Sequence, residues 1–109
     1  QELGTIMQTG INLKMVILNN SFLGMVRQWQ ELFFDKRYSS TEMNNPDFTA
    51  IASAYGIQSS KISDIVELES GVEKMINSEK AYLLEIIVDK EENVFPMVPS
   101  GASLDDIIY

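Results

Sequence analysis

The sequence predicts an α/β fold, a parallel sheet flanked by helices. Two observations carry this: apolar runs of strand length alternate with segments of helical periodicity, and those runs read as strands buried on both faces. A third observation sharpens it. In Val16-Ile17-Leu18-Asn19-Asn20-Ser21-Phe22 an apolar run stops at two asparagines, before a turn, a glycine and a helix. Ligands of open α/β sheets sit at the carboxyl ends of strands, and amide side chains buried there need polar partners. Asparagine is also a common turn former, and on spacing alone the pair reads first as a plain turn.

Taken in order, residues 1–9 read as the end of a helix, with Leu3, Ile6 and Met7 on one face and Gly10 as its stop. No capping residue precedes it, and the expectation is a C-terminal piece of a longer protein. Residues 13–18 read as a buried strand and 23–34 as a helix. Phe22, Met25, Val26, Trp29, Leu32 and Phe33 recur at helical spacing, which on periodicity alone is a stripe facing a core. Residues 35–46 are polar and turn-rich. A short helix follows at 47–54, with Asn44 or Asn45 near its start, Pro46 suited to its first turn and Gly56 after its end. A weak strand is expected near 58–62, a helix around 66–77 capped by Ser63 or Asp64, and a last strand at 81–88. From Asp89 the tail reads as irregular, with Pro96, Pro99 and Gly101 before the apolar end Leu104, Ile107, Ile108.

At 109 residues the chain holds one domain at most, with a modest core, and its 45% hydrophobic and 22% charged residues make an ordinary globular balance. There is no cysteine, hence no disulfide or thiolate metal site, and no histidine, hence no imidazole acid–base chemistry or histidine zinc site. Residues 1–63 carry five basic and five acidic side chains, so residues 64–109 supply the whole net charge of −8. That acidic half reads as a solvated outer face. A nucleic-acid partner is disfavoured, since phosphate needs a basic surface. No apolar run approaches a membrane span, and no signal segment opens the sequence.

Leu18-Asn19-Asn20, the run from Leu23 to Phe33 (Leu-Gly-Met-Val-Arg-Gln-Trp-Gln-Glu-Leu-Phe), and Asp35-Lys36-Arg37-Tyr38-Ser39 resemble the thiamine-diphosphate domain of acetolactate synthase large subunits. So do Asn45-Pro46-Asp47-Phe48, Ala54-Tyr55-Gly56 and the tail Glu92-Asn93-Val94-Phe95-Pro96-Met97-Val98-Pro99-Ser100-Gly101-Ala102. The asparagine pair is a weak signal. The Gly-Met-Val-x-Gln-Trp-Gln helix and the Phe-Pro-Met-Val-Pro tail are strong ones. The resemblance covers nearly the whole chain, which makes residues 1–109 the C-terminal part of a thiamine-diphosphate-binding fold, with residues 89–109 as its tail.

The resemblance implies thiamine diphosphate and magnesium as cofactors. It assigns the metal to the Asn20 side chain and the Phe22 main-chain carbonyl, and the diphosphate to the helix start at Leu23, Gly24 and Met25. Magnesium takes few protein oxygens beside phosphate and water, and a helix start presents amides and partial positive charge to an anion. As bare features Gly24 is also an ordinary turn residue and Met25 ordinary core filler. The family's third metal ligand lies in a Gly-Asp-Gly motif about two dozen residues before the asparagine pair. Only 18 residues precede Asn19, so that motif is outside this sequence. The glutamate that activates the cofactor is likewise elsewhere in the family, and neither Glu2 nor Glu31 fills that role. No catalytic residue is expected in the segment.

Val26, Trp29 and Phe33 are implied to line the channel for substrate and inhibitors, the tryptophan helping to select the second oxo-acid. Arg27, Lys36 and Arg37 are expected to be surface or salt-bridging residues. Ser40 stands where the family has histidine, a departure from the pattern, so no role is carried over to that position. The implied reaction decarboxylates pyruvate on the cofactor and passes the two-carbon unit to pyruvate or 2-oxobutanoate, feeding branched-chain amino-acid synthesis. Partners implied are the 2-oxo acids, a second subunit in a homodimer or tetramer, and a regulatory small subunit. Members often carry a flavin, FAD, bound elsewhere in the enzyme. The location is cytoplasmic, or plastid or mitochondrial in a eukaryote. Pyruvate oxidases, glyoxylate carboligases and decarboxylases share the asparagine turn but generally lack the Gly-Met-Val-x-Gln-Trp-Gln helix. A small non-catalytic α/β interaction domain is the rival of a different class.

Overall fold

A computed structural model describes all 109 residues, Gln1–Tyr109. The elements are α1 (Glu2–Thr9), β1 (Lys14–Asn19), α2 (Gly24–Phe33), α3 (Phe48–Ala54), β2 (Gln58–Ile62), α4 (Leu68–Ile76) and β3 (Tyr82–Ile87), with 3-10 turns at Ile65–Glu67 and Leu104–Asp106. The chain divides into two units, one of residues 1–20 and 44–88, the other of residues 21–43 and 89–109. No helix is long and apolar enough to cross a membrane.

The first unit holds the sheet, three parallel strands in the order β1-β3-β2. The last strand in sequence is therefore the middle one. Its Tyr-Leu-Leu-Glu-Ile-Ile pairs Tyr82 with Lys14 on one side and with Gln58 on the other, and Glu85 with Ile17 and Lys61. Because side chains alternate across a strand, β3 feeds two cores. Leu83 packs with Ile6 of α1, with Ala52 of α3 and with Ile57, while Tyr82 and Leu84 pack with Ile62 and with Met75 of α4. Helices on both faces explain why β3 is apolar almost throughout.

Most helix limits follow local chemistry. Gly10 closes α1 in the left-handed conformation at φ 67°, where a Cβ would be strained. The start of α3 differs from expectation: Asp47, not Asn44 or Asn45, is the cap, its carboxylate accepting the Ala50 N–H at 2.9 Å. Pro46 consequently lies outside the helix. The expected helix at 66–77 divides into the 3-10 turn capped by Asp64 and then α4.

In the second unit, residues 21–23 pair with 41–43 through Leu23 N–H to Thr41 O and Met43 N–H to Ser21 O, both 2.8 Å. The tail is less irregular than its prolines suggest. Gln28 is 1% exposed. Its amide clamps the Val94 backbone, donating to the carbonyl and accepting from the N–H, each at 2.9 Å. Met97 and Ile108 form an antiparallel bridge, and Ser103 and Asp106 cap the last turn reciprocally.

Two outcomes are expected from this packing. A Cβ at Gly71 of α4 would overlap Cδ1 of Ile62 and crowd its Cγ1 at 3.2 Å. Ile62 is buried, so overpacking of about 1–3 kcal/mol exceeds the helix-propensity gain of about 1 kcal/mol. Gly71→Ala should lower the denaturant midpoint, and Ile62→Val in the same chain should restore part of the loss. Strict additivity of the two changes would show that the contact is relieved by movement of α4 instead. The second outcome concerns Asp47, whose carboxylate is held below its ordinary value of 3.8, chiefly by the Ala50 N–H and next by the Thr49 hydroxyl. A folded-state value below the unfolded one stabilises above the unfolded value, and that contribution is lost as pH falls through the lowered one. Asp47→Ala should therefore lower Tm at neutral pH, and its gap from the parent should close in strong acid. A gap independent of pH would show that the charge contributes nothing.

Candidate functional site

In the first unit β1 delivers Asn19 to the carboxyl end of the sheet, where it is 7% exposed. The polar partners that a buried amide requires come from the protein itself. Asn19 Nδ2 donates to Glu85 Oε1 at 2.6 Å, and Asn45 Nδ2 donates to Asn19 Oδ1 at 2.8 Å. The Asn19 carbonyl accepts the Val88 N–H at 3.1 Å. Glu85 is 1% exposed, and its other oxygen makes no hydrogen bond but lies 3.6 Å from the Lys61 ammonium. This corrects the solvated reading of the acidic half, since one of its carboxylates is in the sheet. The signal was present, because a lone acid inside an apolar run marks a buried charge in want of a partner.

Asn20 is half-buried and ends the first unit; Phe22 and the helix start lie in the second. Between them Ser21 adopts φ 56°, a left-handed turn that redirects the chain directly after the asparagine pair. The hydrogen bonds of the 21–23 pairing run through Ser21 O and Leu23 N. Helix α2 starts at Gly24, with Leu23 at the cap position making no side-chain cap bond and no acidic residue in the first turn. Its leading amides thus have neither an intrahelical acceptor nor a side-chain oxygen from the cap.

The apolar stripe of α2 does not face a core. Met25, Val26, Trp29 and Phe33 are 54%, 48%, 39% and 39% exposed, and the helix buries Arg27 and Gln28 instead. Trp29 and Phe33 touch each other, with ring centroids 5.1 Å apart and planes tilted by 58°. Periodicity identified the stripe correctly but could not say what it faces. Gln28 is turned inward by the Val94 backbone, and Arg27 by an ion pair with Glu31 at 3.0 Å. The Arg27 guanidinium also lies 5.7 Å from the Phe22 ring and 5.0 Å from the Tyr38 ring. Arg27 therefore pairs as expected but is not a surface residue, whereas Lys36 and Arg37 are exposed. Burial, together with its hydrogen bond to Glu31, raises the Tyr38 phenol above its ordinary value. Ser40, at φ 54°, lines a cleft of about 350 Å³ with Phe22, Arg27 and Tyr38.

No group of three or more acidic, histidine or cysteine side chains stands ready to hold a metal. The oxygens present in the turn at residues 19–22 are instead those of amides, a hydroxyl and backbone carbonyls. That donor set suits a cation whose shell is completed by phosphate and water, and does not suit zinc or a redox metal.

The chain is 48% identical over 109 residues to the acetolactate synthase isozyme 2 large subunit of Escherichia coli, an alignment covering 99% of this chain and 20% of that protein. It is 41% identical over 107 residues to the mitochondrial acetolactate synthase catalytic subunit of Saccharomyces cerevisiae, covering 98% of this chain and 16% of that one. The chain thus spans at most about a fifth of the length of these relatives. Among solved structures, the thiamine diphosphate-dependent 4-hydroxybenzoylformate decarboxylase of Rhodococcus jostii superposes with a TM-score of 0.73 at 19% identity, over 84% of this chain and 17% of that one, a likeness of fold. Residues 1–86 match the family described as thiamine pyrophosphate enzyme, C-terminal TPP binding domain, and the chain belongs to that family.

Proposed function

We propose that this chain is the C-terminal part of the thiamine diphosphate-binding domain of an acetolactate synthase catalytic subunit, joining pyruvate to a second 2-oxo acid with loss of carbon dioxide. The observation that carries the reading is the outward apolar face of α2. A helix that buries Arg27 and Gln28 and exposes Met25, Val26, Trp29 and Phe33 presents that face to something else. The resemblance makes it the wall of the channel for the acceptor oxo-acid. The similarity to catalytic subunits of acetolactate synthases supports the same reaction.

Asn20 and the Phe22 carbonyl are the proposed magnesium ligands, and Leu23, Gly24 and Met25 the proposed diphosphate seat. The turn at Ser21, the helix start without a side-chain cap and the all-oxygen donor set support this. When bound, thiamine diphosphate supplies the carbon centre on which pyruvate loses carbon dioxide. The chain's own task is to anchor and orient. The α2 amides face negative charge, Gly24 admits close approach of the backbone, and Trp29 with Phe33 excludes water from one side of the acceptor. No side chain here is assigned a proton transfer. We place the remaining metal ligand and the cofactor-activating acid in parts of the protein outside these residues. The open edge of β1, hydrogen-bonded only to β3, is consistent with a larger sheet. The reading carries with it a homodimer or tetramer, a regulatory small subunit and a flavin bound elsewhere, in cytoplasm or in a plastid or mitochondrion.

Two substitutions in the full-length protein test this. Asn20→Ala should weaken magnesium-dependent binding of thiamine diphosphate by at least about tenfold, the scale on which even outer partners of a metal ligand act, with little change in Tm. Titration followed by calorimetry reads it, and an unchanged affinity would remove Asn20 from the metal site. Trp29→Ala should reduce the preference for 2-oxobutanoate over pyruvate, because one methylene against an apolar wall is worth roughly 1–3 kcal/mol. A competition assay reporting the product ratio measures this, while pyruvate decarboxylation stays nearly intact. A fixed ratio accompanied by a stability loss of about 3–5 kcal/mol, as for a buried aromatic, would make Trp29 a packing residue instead.

A further inference from the structure

We propose that Glu85 is a positioning residue for the Asn19-Asn20 corner, acting on cofactor affinity through Asn19 without touching cofactor or metal. It rests on the reading of Asn20 as a magnesium ligand and adds a residue from the far end of the first unit's sequence. Glu85 is the middle residue of a cross-sheet line, with Ile17 of β1 as its partner on one side and Lys61 of β2 on the other. Asn19 lies two residues beyond Ile17 and so on the same face. The carboxylate spans the sheet: Oε1 holds Asn19 Nδ2 at 2.6 Å, and Oε2 lies 3.6 Å from Lys61 Nζ.

Asn19 is thereby held at its side-chain amide and at its backbone carbonyl. Glu85 takes its amide N–H, Asn45 fills its amide oxygen at 2.8 Å, and Val88 N–H binds its carbonyl at 3.1 Å. The next residue is Asn20, and the residue after that makes the left-handed turn at Ser21. A side chain adjacent to a metal ligand, locked by a charge-assisted bond in a buried setting, sets the ligand's direction in the way outer partners orient metal ligands. A carboxylate 1% exposed is costly to keep in a sheet core, and apolar packing alone would favour a leucine there. The structure uses the charge to pin an amide beside the proposed anchor.

The test uses the full-length protein with thiamine diphosphate and magnesium as the probe. Glu85→Ala strips Asn19 of its acceptor and should raise the cofactor dissociation constant about 10- to 100-fold, with kcat at saturating cofactor within about twofold of the parent. Glu85→Gln keeps an acceptor oxygen for Asn19, and Lys61, which is 53% exposed along its side chain, can turn to water. It should restore affinity to within about threefold of the parent. If Glu85→Ala does not fold, Asn45→Ala serves instead. It removes the other bond to Asn19 from a half-buried loop position and should weaken binding several-fold at unchanged Tm. Asn20→Ala runs beside them as the reference. Weakening by Asn20→Ala with unaltered affinity in Glu85→Ala, or in Asn45→Ala where Glu85→Ala does not fold, overturns the positioning role and leaves the metal reading intact. An unaltered Asn20→Ala overturns the metal reading and the inference with it.

Discussion

The first unit depends on β3 being the shared strand. Its hydrogen bonds to β1 on one side and β2 on the other make all three strands parallel, so every carboxyl end points the same way. Its alternating side chains fill both cores, and Leu84 is wholly buried in one of them. A charge on such a strand has to be neutralised locally, and Glu85 is placed where an ammonium and an amide can do so. Fold and proposed site therefore rest on the same six residues: the strand that closes the core also supplies the carboxylate that fixes the corner.

Much of this was legible in the sequence, and the parts that were not share a cause. Every strand and helix appears where periodicity puts it, within a few residues, because period 2 against period 3.6 is a local signal. The asparagine pair at the end of β1 was visible too, as was its need for partners. What periodicity cannot carry is identity across distance. Asn19 and Glu85 are joined over 66 positions of sequence, and so are Gln28 and Val94. The start of α3 shows the same limit at short range. Asn44, Asn45 and Asp47 can all cap a helix, and only the geometry of the Ala50 N–H chooses Asp47.

The α2 helix shows where local reading inverts. Its moment is strong and its stripe real, yet the residues turned inward are an arginine and a glutamine. Gln28 is well placed for this, because a primary amide offers one donor and one acceptor and matches a peptide unit. Arg27 is accommodated by Glu31 and two aromatic rings, whose faces suit a weakly hydrated planar cation. The polar residues thus perform the packing of the second unit, which leaves the indole and phenyl rings of Trp29 and Phe33 for other contacts.

The placement of α1 has a consequence for chain direction. Ile6 of α1 and Ala52 of α3 share one cluster, so the two helices cover the same face of the sheet, whereas α4 covers the other. Parallel crossovers are right-handed almost without exception. The step from β1 through α3 to β2 moves across the sheet away from the free edge, and the step from β2 through α4 back to β3 reverses both face and direction, as one hand requires. By the same handedness, a parallel strand leading into α1 lands beside β1 on its open edge. There its backbone would complete the ladder that β1 now makes on one side only, and a covering helix on the far face would shelter Val16 and Leu18, both exposed in this chain.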